Sequence, residues 1–134
     1  MYSWKDLYKE ANKNNHQTNV SPFINSGYVT CVIESTKNKM YNGSNIVTNS
    51  KLGMCAETSA VANMISNQDY KISKMVIVNE LGELLLPCKD CIEYLLDFCD
   101  EDFEILVSVQ EEQTIKLHDL LPDYWGTFRI SKED

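Results

Sequence analysis

The chain is poor in positive charge, in long apolar runs and in repetition. Twelve Lys and Arg residues against twenty Asp and Glu leave a net charge of −8 over 134 residues. Proteins that grip phosphate backbones carry the opposite balance, because Lys and Arg displace counterions there. Lys37, Lys39, Lys71 and Lys74 are scattered, with no aromatics interleaved at regular intervals. Nucleic acid is therefore not an expected partner. No stretch approaches the ~20 apolar residues of a membrane span. Nor does the start, Met1-Tyr2-Ser3-Trp4-Lys5-Asp6, hold an apolar run of leader length. A membrane partner is not expected, and the cytoplasm is the default location. With no internal repeat, linker or low-complexity tract, residues 1–134 are expected to form a single domain.

What is present suits one folded core: 43% of residues are hydrophobic, enough to fill it. Trp4, Leu7, Tyr8 and Ala11 lie on one helical face behind Ser3, and Asn12 to Asn19 reads as a loop. Ser21 to Gly27 is turn-rich, and Tyr28 to Ile33 is β-branched and strand-like. Met40 to Ile46 returns as a second strand. A helix is expected from Cys55 to Ser66 and a strand from Lys74 to Val78, with Leu84 to Leu86 extending the sheet. Pro87 suits the first turn of a third helix, along which Cys88, Cys91, Ile92, Leu95, Leu96 and Cys99 recur at helical spacing. Glu104 to Val109 and Gln113 to Leu117 are further strands, and His118 to Leu121 a short last helix. Helices alternating with strands predict an α/β fold of three layers, α-β-α, around a central mixed sheet of about five strands.

Three cysteines and a glutamate occupy two helix starts: Cys55-Ala56-Glu57 and Pro87-Cys88-Lys89-Asp90-Cys91. Cys88 and Cys91, three apart, can present both sulfurs to one ion, and Cys55 starts a neighbouring helix. Helix N-termini favour thiolates. Zinc at catalytic sites takes three protein ligands and keeps one position for water. Glu57, two residues after Cys55, can lie beside such an ion without ligating it and exchange protons with water. Blander explanations exist for each part. Cys-x-x-Cys alone could be a redox pair, a lone cysteine a small hydrophobe, and a first-turn glutamate a complement to the helix dipole. A redox pair leaves Cys55 and Glu57 unexplained. A purely structural zinc site wants a fourth ligand, and Cys31, Cys99, His16 and His118 show no paired spacing. Cys31 and Cys99 read as packing residues. The catalytic arrangement accounts for all four residues together.

Cys55-Ala56-Glu57 followed by Pro87-Cys88-x-x-Cys91 resembles the zinc-dependent cytidine deaminase family, in its three-cysteine form. Ser21-Pro22-Phe23 resembles the segment before the first strand of the small cytidine deaminases. Asn45-Ile46 resembles the start of their Asn-x-Glu ribose-binding stretch, and Leu120-Leu121-Pro122 their C-terminal element. The likeness runs from about residue 20 to about residue 125. It implies hydrolytic deamination of a cytosine ring in a small nucleoside-like substrate, with Zn2+ as the only cofactor. It further implies Cys55, Cys88 and Cys91 as metal ligands and Glu57 as the catalytic proton carrier between water, ring N3 and the departing amine. Asn45, Phe23 and Ala56 become the substrate-binding candidates. The usual assembly in the family is a homotetramer, with a homodimer as the smaller option, and Tyr124, Trp125 and Phe128 offer an aromatic edge for it.

Three departures stand out. Val47 occupies the position of the glutamate in the ribose-binding stretch, which weakens the expectation of plain cytidine; Asn45 then either binds substrate or only serves a turn. Thr58 and Ile92 stand where the family often has arginine, leaving Lys89 or Lys51 to offset the three thiolates' charge. Gly27 replaces an aromatic residue, for which Tyr28 or Phe23 could substitute. Blasticidin S deaminase is a comparable relative, though it keeps the glutamate. A deaminase-like module that binds without chemistry is the rival from another class, and it gives Glu57 no purpose.

Overall fold

The computed structural model describes residues 1–48, 53–87 and 89–120. The first helix, α1 (Trp4–Lys13), starts at Ser3, whose Oγ accepts from the Asp6 amide while the Asp6 carboxylate accepts from the Ser3 amide. Next along the chain are strands β1 (Thr18–Ser21), β2 (Ile24–Ser35) and β3 (Met40–Thr48), then α2 (Ala56–Ser66) and β4 (Ile72–Asn79). After α3 (Lys89–Leu95) and a single 3₁₀ turn come β5 (Cys99–Ser108), β6 (Gln113–Lys116) and a last 3₁₀ turn, Leu117–Leu120.

The six strands form one mixed sheet in which β4 and β5 are parallel and every other pair is antiparallel. β2 is its spine: β3 pairs along one edge of it, and β4 and then β1 along the other. Side-chain alternation assigns the two faces. Cys31, Ile33, Met75, Ile77 and Ile105 face α2 and α3, meeting Ala60, Val61, Met64, Ile92 and Leu95. Val32, Val76, Val78 and Leu106 face the other way, onto Leu7 and Ala11 of α1. The layers are therefore α1, the sheet, and α2 with α3, matching the α-β-α expectation with one strand more than about five.

Three segments differ from the pattern reading. Residues 24–27, read as turn-rich, already belong to β2. Residues 18–21, which run from the end of the polar stretch to the start of the turn-rich one, form β1, an exposed strand that pairs along β2 without contributing to either core. Such a strand has no apolar alternation to betray it. Cys99 does not continue the third helix. That helix ends at Leu95, and Cys99 opens β5 opposite Ile72. The acidic run Asp100-Glu101-Asp102 disfavours a strand locally; the parallel ladder with β4 overrides it.

Helix α2 lies in backbone contact with β3. A Cβ on Gly43 would lie 2.2 Å from the Ala60 amide nitrogen and 2.6 Å from the Ala56 carbonyl oxygen. Both are backbone atoms that cannot rotate away. Gly43→Ala is therefore expected to lower stability by about 3 kcal/mol or more, seen as a reduced urea midpoint; an unchanged midpoint would show that α2 can lift off the sheet.

Candidate active site

Ile46 and Met54 exchange backbone hydrogen bonds of 2.8 and 2.9 Å, which ties the chain entering α2 to the end of β3. Cys55 then occupies the N-cap position in an extended conformation, φ −70° and ψ 154°, and its thiol makes no cap bond to the helix. Its carbonyl accepts from the Ser59 amide and the Thr58 hydroxyl. One turn in, Glu57 points inward and is only 5% exposed. From α3, the buried Cys91 thiol donates a hydrogen bond to the Glu57 carboxylate. The Cys55 and Cys91 sulfurs and a Glu57 oxygen all lie within 4.8 Å of one another.

Burial raises the Glu57 carboxyl above its ordinary value of 4.5, while the bond from Cys91 and a backbone hydrogen bond pull it part of the way back. Beside it, the fully buried Cys31 thiol of β2 is pushed well up, by desolvation first and by the charge of Glu57 second. Cys31 is thus held as a thiol, outside the group formed by the other three residues. Two sulfurs at this spacing suit zinc, whose tetrahedral thiolate ligands sit roughly 3.8 Å apart when each bond is about 2.3 Å. Soft thiolate donors favour zinc over magnesium or calcium.

A cleft of about 390 Å³ opens beside the cluster, lined by residues 45–48 of β3 and by Gly53, Met54 and Cys55. Cys55 is common to both.

The zinc-binding region of cytidine and deoxycytidylate deaminases matches residues 3–107, including both cysteine blocks. The chain belongs to this family. Crystal structures of two relatives share its fold. Cytidine deaminase from Mycobacterium tuberculosis is 25% identical, covering 92% of this chain and 97% of its own with a TM-score of 0.75. That from Mycobacterium leprae is 21% identical, covering 92% and 100%, also at 0.75. Comparison with curated protein sequences returns no match.

Of the residues singled out in the sequence, Cys55, Glu57 and Cys91 are brought together. Cys88, Lys51, Tyr124, Trp125, Phe128 and the Leu121-Pro122 pair lie outside the described residues, as does the side chain of Lys89. Ala56 is buried in the first turn of α2, between Cys55 and Glu57. Phe23 sits in the turn between β1 and β2, 62% exposed, and is not among the described residues that line the cleft. Asn45 lines the cleft, and its Oδ1 also accepts from the amides of Tyr28 (2.9 Å) and Val29 (3.0 Å). It therefore serves the backbone of β2 as well as lining the cleft.

Sequence reasoning placed Cys31 in its strand but not beside Glu57. The signal was available: Cys31 shares the face of β2 with Ile33, the face that α2 covers.

A carboxyl with a raised folded-state pKa holds its proton more tightly folded than unfolded. The resulting stabilisation is complete below 4.5 and is lost as pH rises through the folded value. Metal-free Glu57→Gln protein should therefore gain stability over metal-free wild type as pH rises from 4.5 to neutrality. Urea midpoints across that range measure it, and a pH-independent difference would contradict the burial argument.

Proposed function

We propose that this protein is a zinc-dependent aminohydrolase acting on a small, cytosine-containing, nucleoside-like compound, releasing the uracil form and ammonia. The observation that carries this reading is the convergence of Cys55, Glu57 and Cys91 within 4.8 Å, from two helices, beside an open cleft. Cys55, Cys88 and Cys91 would hold the metal. Zinc in such a site supplies a Lewis acid that lowers the pKa of water to near neutrality.

Glu57 carries the protons. Its carboxylate accepts one from water as the water oxygen bonds to C4 of the ring. It delivers that proton to ring N3. It then takes the remaining proton from the new C4 hydroxyl and passes it to the exocyclic amino group, which leaves as ammonia as C4=O forms and the C4–N bond breaks. A carboxyl with its pKa raised by burial suits this relay, because it can hold the proton between the two deliveries. The Cys91 thiol, hydrogen-bonded to it, fixes the carboxylate's orientation in the metal-free protein.

The acidic balance favours small molecules over polynucleotides, and the family relationship supports assembly as a homotetramer. Among the described residues no helix is long and apolar enough to cross a membrane.

Ammonia release from cytidine, deoxycytidine, cytosine and blasticidin S, with zinc content measured on the same sample, tests the proposal. Glu57→Gln is expected to lower kcat by roughly 10²–10⁴-fold with zinc still bound. Cys55→Ser and Cys91→Ser should instead lose the metal, read by atomic absorption. Turnover at the wild-type rate in Glu57→Gln would exclude the mechanism.

A further inference from the structure

Cys55 and Cys91 reach the cluster by unequal routes. Cys55 is fixed by the Ile46–Met54 pair and by the close contact of α2 with Gly43. Cys91 arrives on α3, which at seven residues is too short to hold its own shape in water. Its placement depends on the connection that leads from Asn79, the end of β4, to Lys89.

That connection turns back at once. Val78 and Leu84 form an antiparallel bridge, and the Leu85 amide donates to the Ile77 carbonyl at 2.8 Å. Leu84 packs into the core beneath α1, and Leu85 into the core beneath α2 and α3. Pro87 is buried. The backbone is thus held to within a few residues of α3.

One side chain closes the turn. Asn79 Oδ1 accepts from the amides of Leu81 (2.9 Å) and Glu83 (3.0 Å), and its Nδ2 donates to the Glu83 carboxylate (2.9 Å). Both ends of the carboxamide are therefore in use. The Asn79 carbonyl accepts from the Gly82 amide at 3.0 Å and from Asn15 Nδ2 at 2.7 Å. From α1, the Tyr8 hydroxyl donates to the Gly82 carbonyl at 2.7 Å. Asn79 pins the turn from within, and Tyr8 and Asn15 dock it from outside.

We propose, on the basis of the deaminase reading above, that Asn79 is a positioning residue for the metal. By closing the turn after β4 it presets Cys91 against Cys55 and Glu57 before an ion binds. Order already established on folding does not count against binding, so a preset ligand raises affinity.

The test is the zinc affinity of the whole chain, measured by competition with a chromogenic chelator at a temperature where circular dichroism shows every variant folded. Asn79→Ala is expected to weaken zinc binding by about tenfold, the equivalent of one or two net hydrogen bonds. Asn79→Ser, whose oxygen reaches less far, should move the affinity the same way and serves if the alanine variant fails to fold. Tyr41→Phe removes a buried bond to Asp69 (3.0 Å), beyond the far end of α2. It should lower the urea midpoint and leave zinc affinity unchanged. Wild-type zinc affinity in the Asn79 variants, or an equal loss in Tyr41→Phe, would overturn the inference and leave the deaminase reading intact. Absence of zinc binding by wild type would overturn the zinc-dependent reading itself, and this inference with it.

Discussion

The site depends on how closely one helix can approach one strand. Gly43 presents no side chain to the first two turns of α2, so the Ala56 carbonyl and the Ala60 amide lie almost on the β3 backbone. The hydrogen-bonded pair Ile46–Met54 clamps the same junction from the other end. Between these two fixtures, the start of α2 has no freedom to shift along or away from the sheet. Cys55 and Glu57 inherit that rigidity. Catalytic groups need placement to within about 0.5 Å, and elements packed this tightly supply it where a loop would not.

Fixing those groups so deep creates an electrostatic problem. Cys31, Cys55, Glu57 and Cys91 are all acids, three of them buried. In the absence of a cation, such a cluster lowers its energy by keeping protons. Cys31 is held as a thiol, Glu57 is pushed up, and Cys91 shares its proton with the Glu57 carboxylate. A divalent ion reverses that balance by favouring thiolates. Three thiolates around Zn2+ are formally −1, and a negative site raises the pKa of bound water relative to a neutral one. A nearby carboxylate that readily holds a proton fits that setting.

The parts of this arrangement legible in the sequence are those set by local physics. The apolar faces of α1 and α2 are short-range patterns, and the fold obeys them. The layered α-β-α order was legible because strands and helices alternate along the chain. What escaped were features set by tertiary pairing. β1 is exposed and held by its ladder alone, so its composition is that of a loop. The start of β5 is acidic and becomes a strand because β4 offers it a parallel edge. The neighbourhood of Cys31 and Glu57 joins residues 26 apart in sequence, and no spacing rule connects a strand to the helix that covers it.

The departure from the family pattern at Gly27 meets Asn45. Residues 27–29 of β2 stand opposite that single residue, because the ladder resumes with Thr30 on Ser44 after leaving Ser26 on Ile46. Such a bulge leaves the Tyr28 and Val29 amides without carbonyl partners, and Asn45 Oδ1 takes both. Gly27 makes the bulge possible: its φ is +85°, and a Cβ there would lie 1.8 Å from the His16 carbonyl oxygen. No aromatic ring can stand at that position without dismantling the bulge. The two bonds that stabilise the bulge occupy the Oδ1 acceptor of Asn45, which also lines the cleft. The bulge in β2 and the wall of the cleft are therefore coupled through one carboxamide. Any change at Asn45 therefore alters both the bulge and the cleft wall.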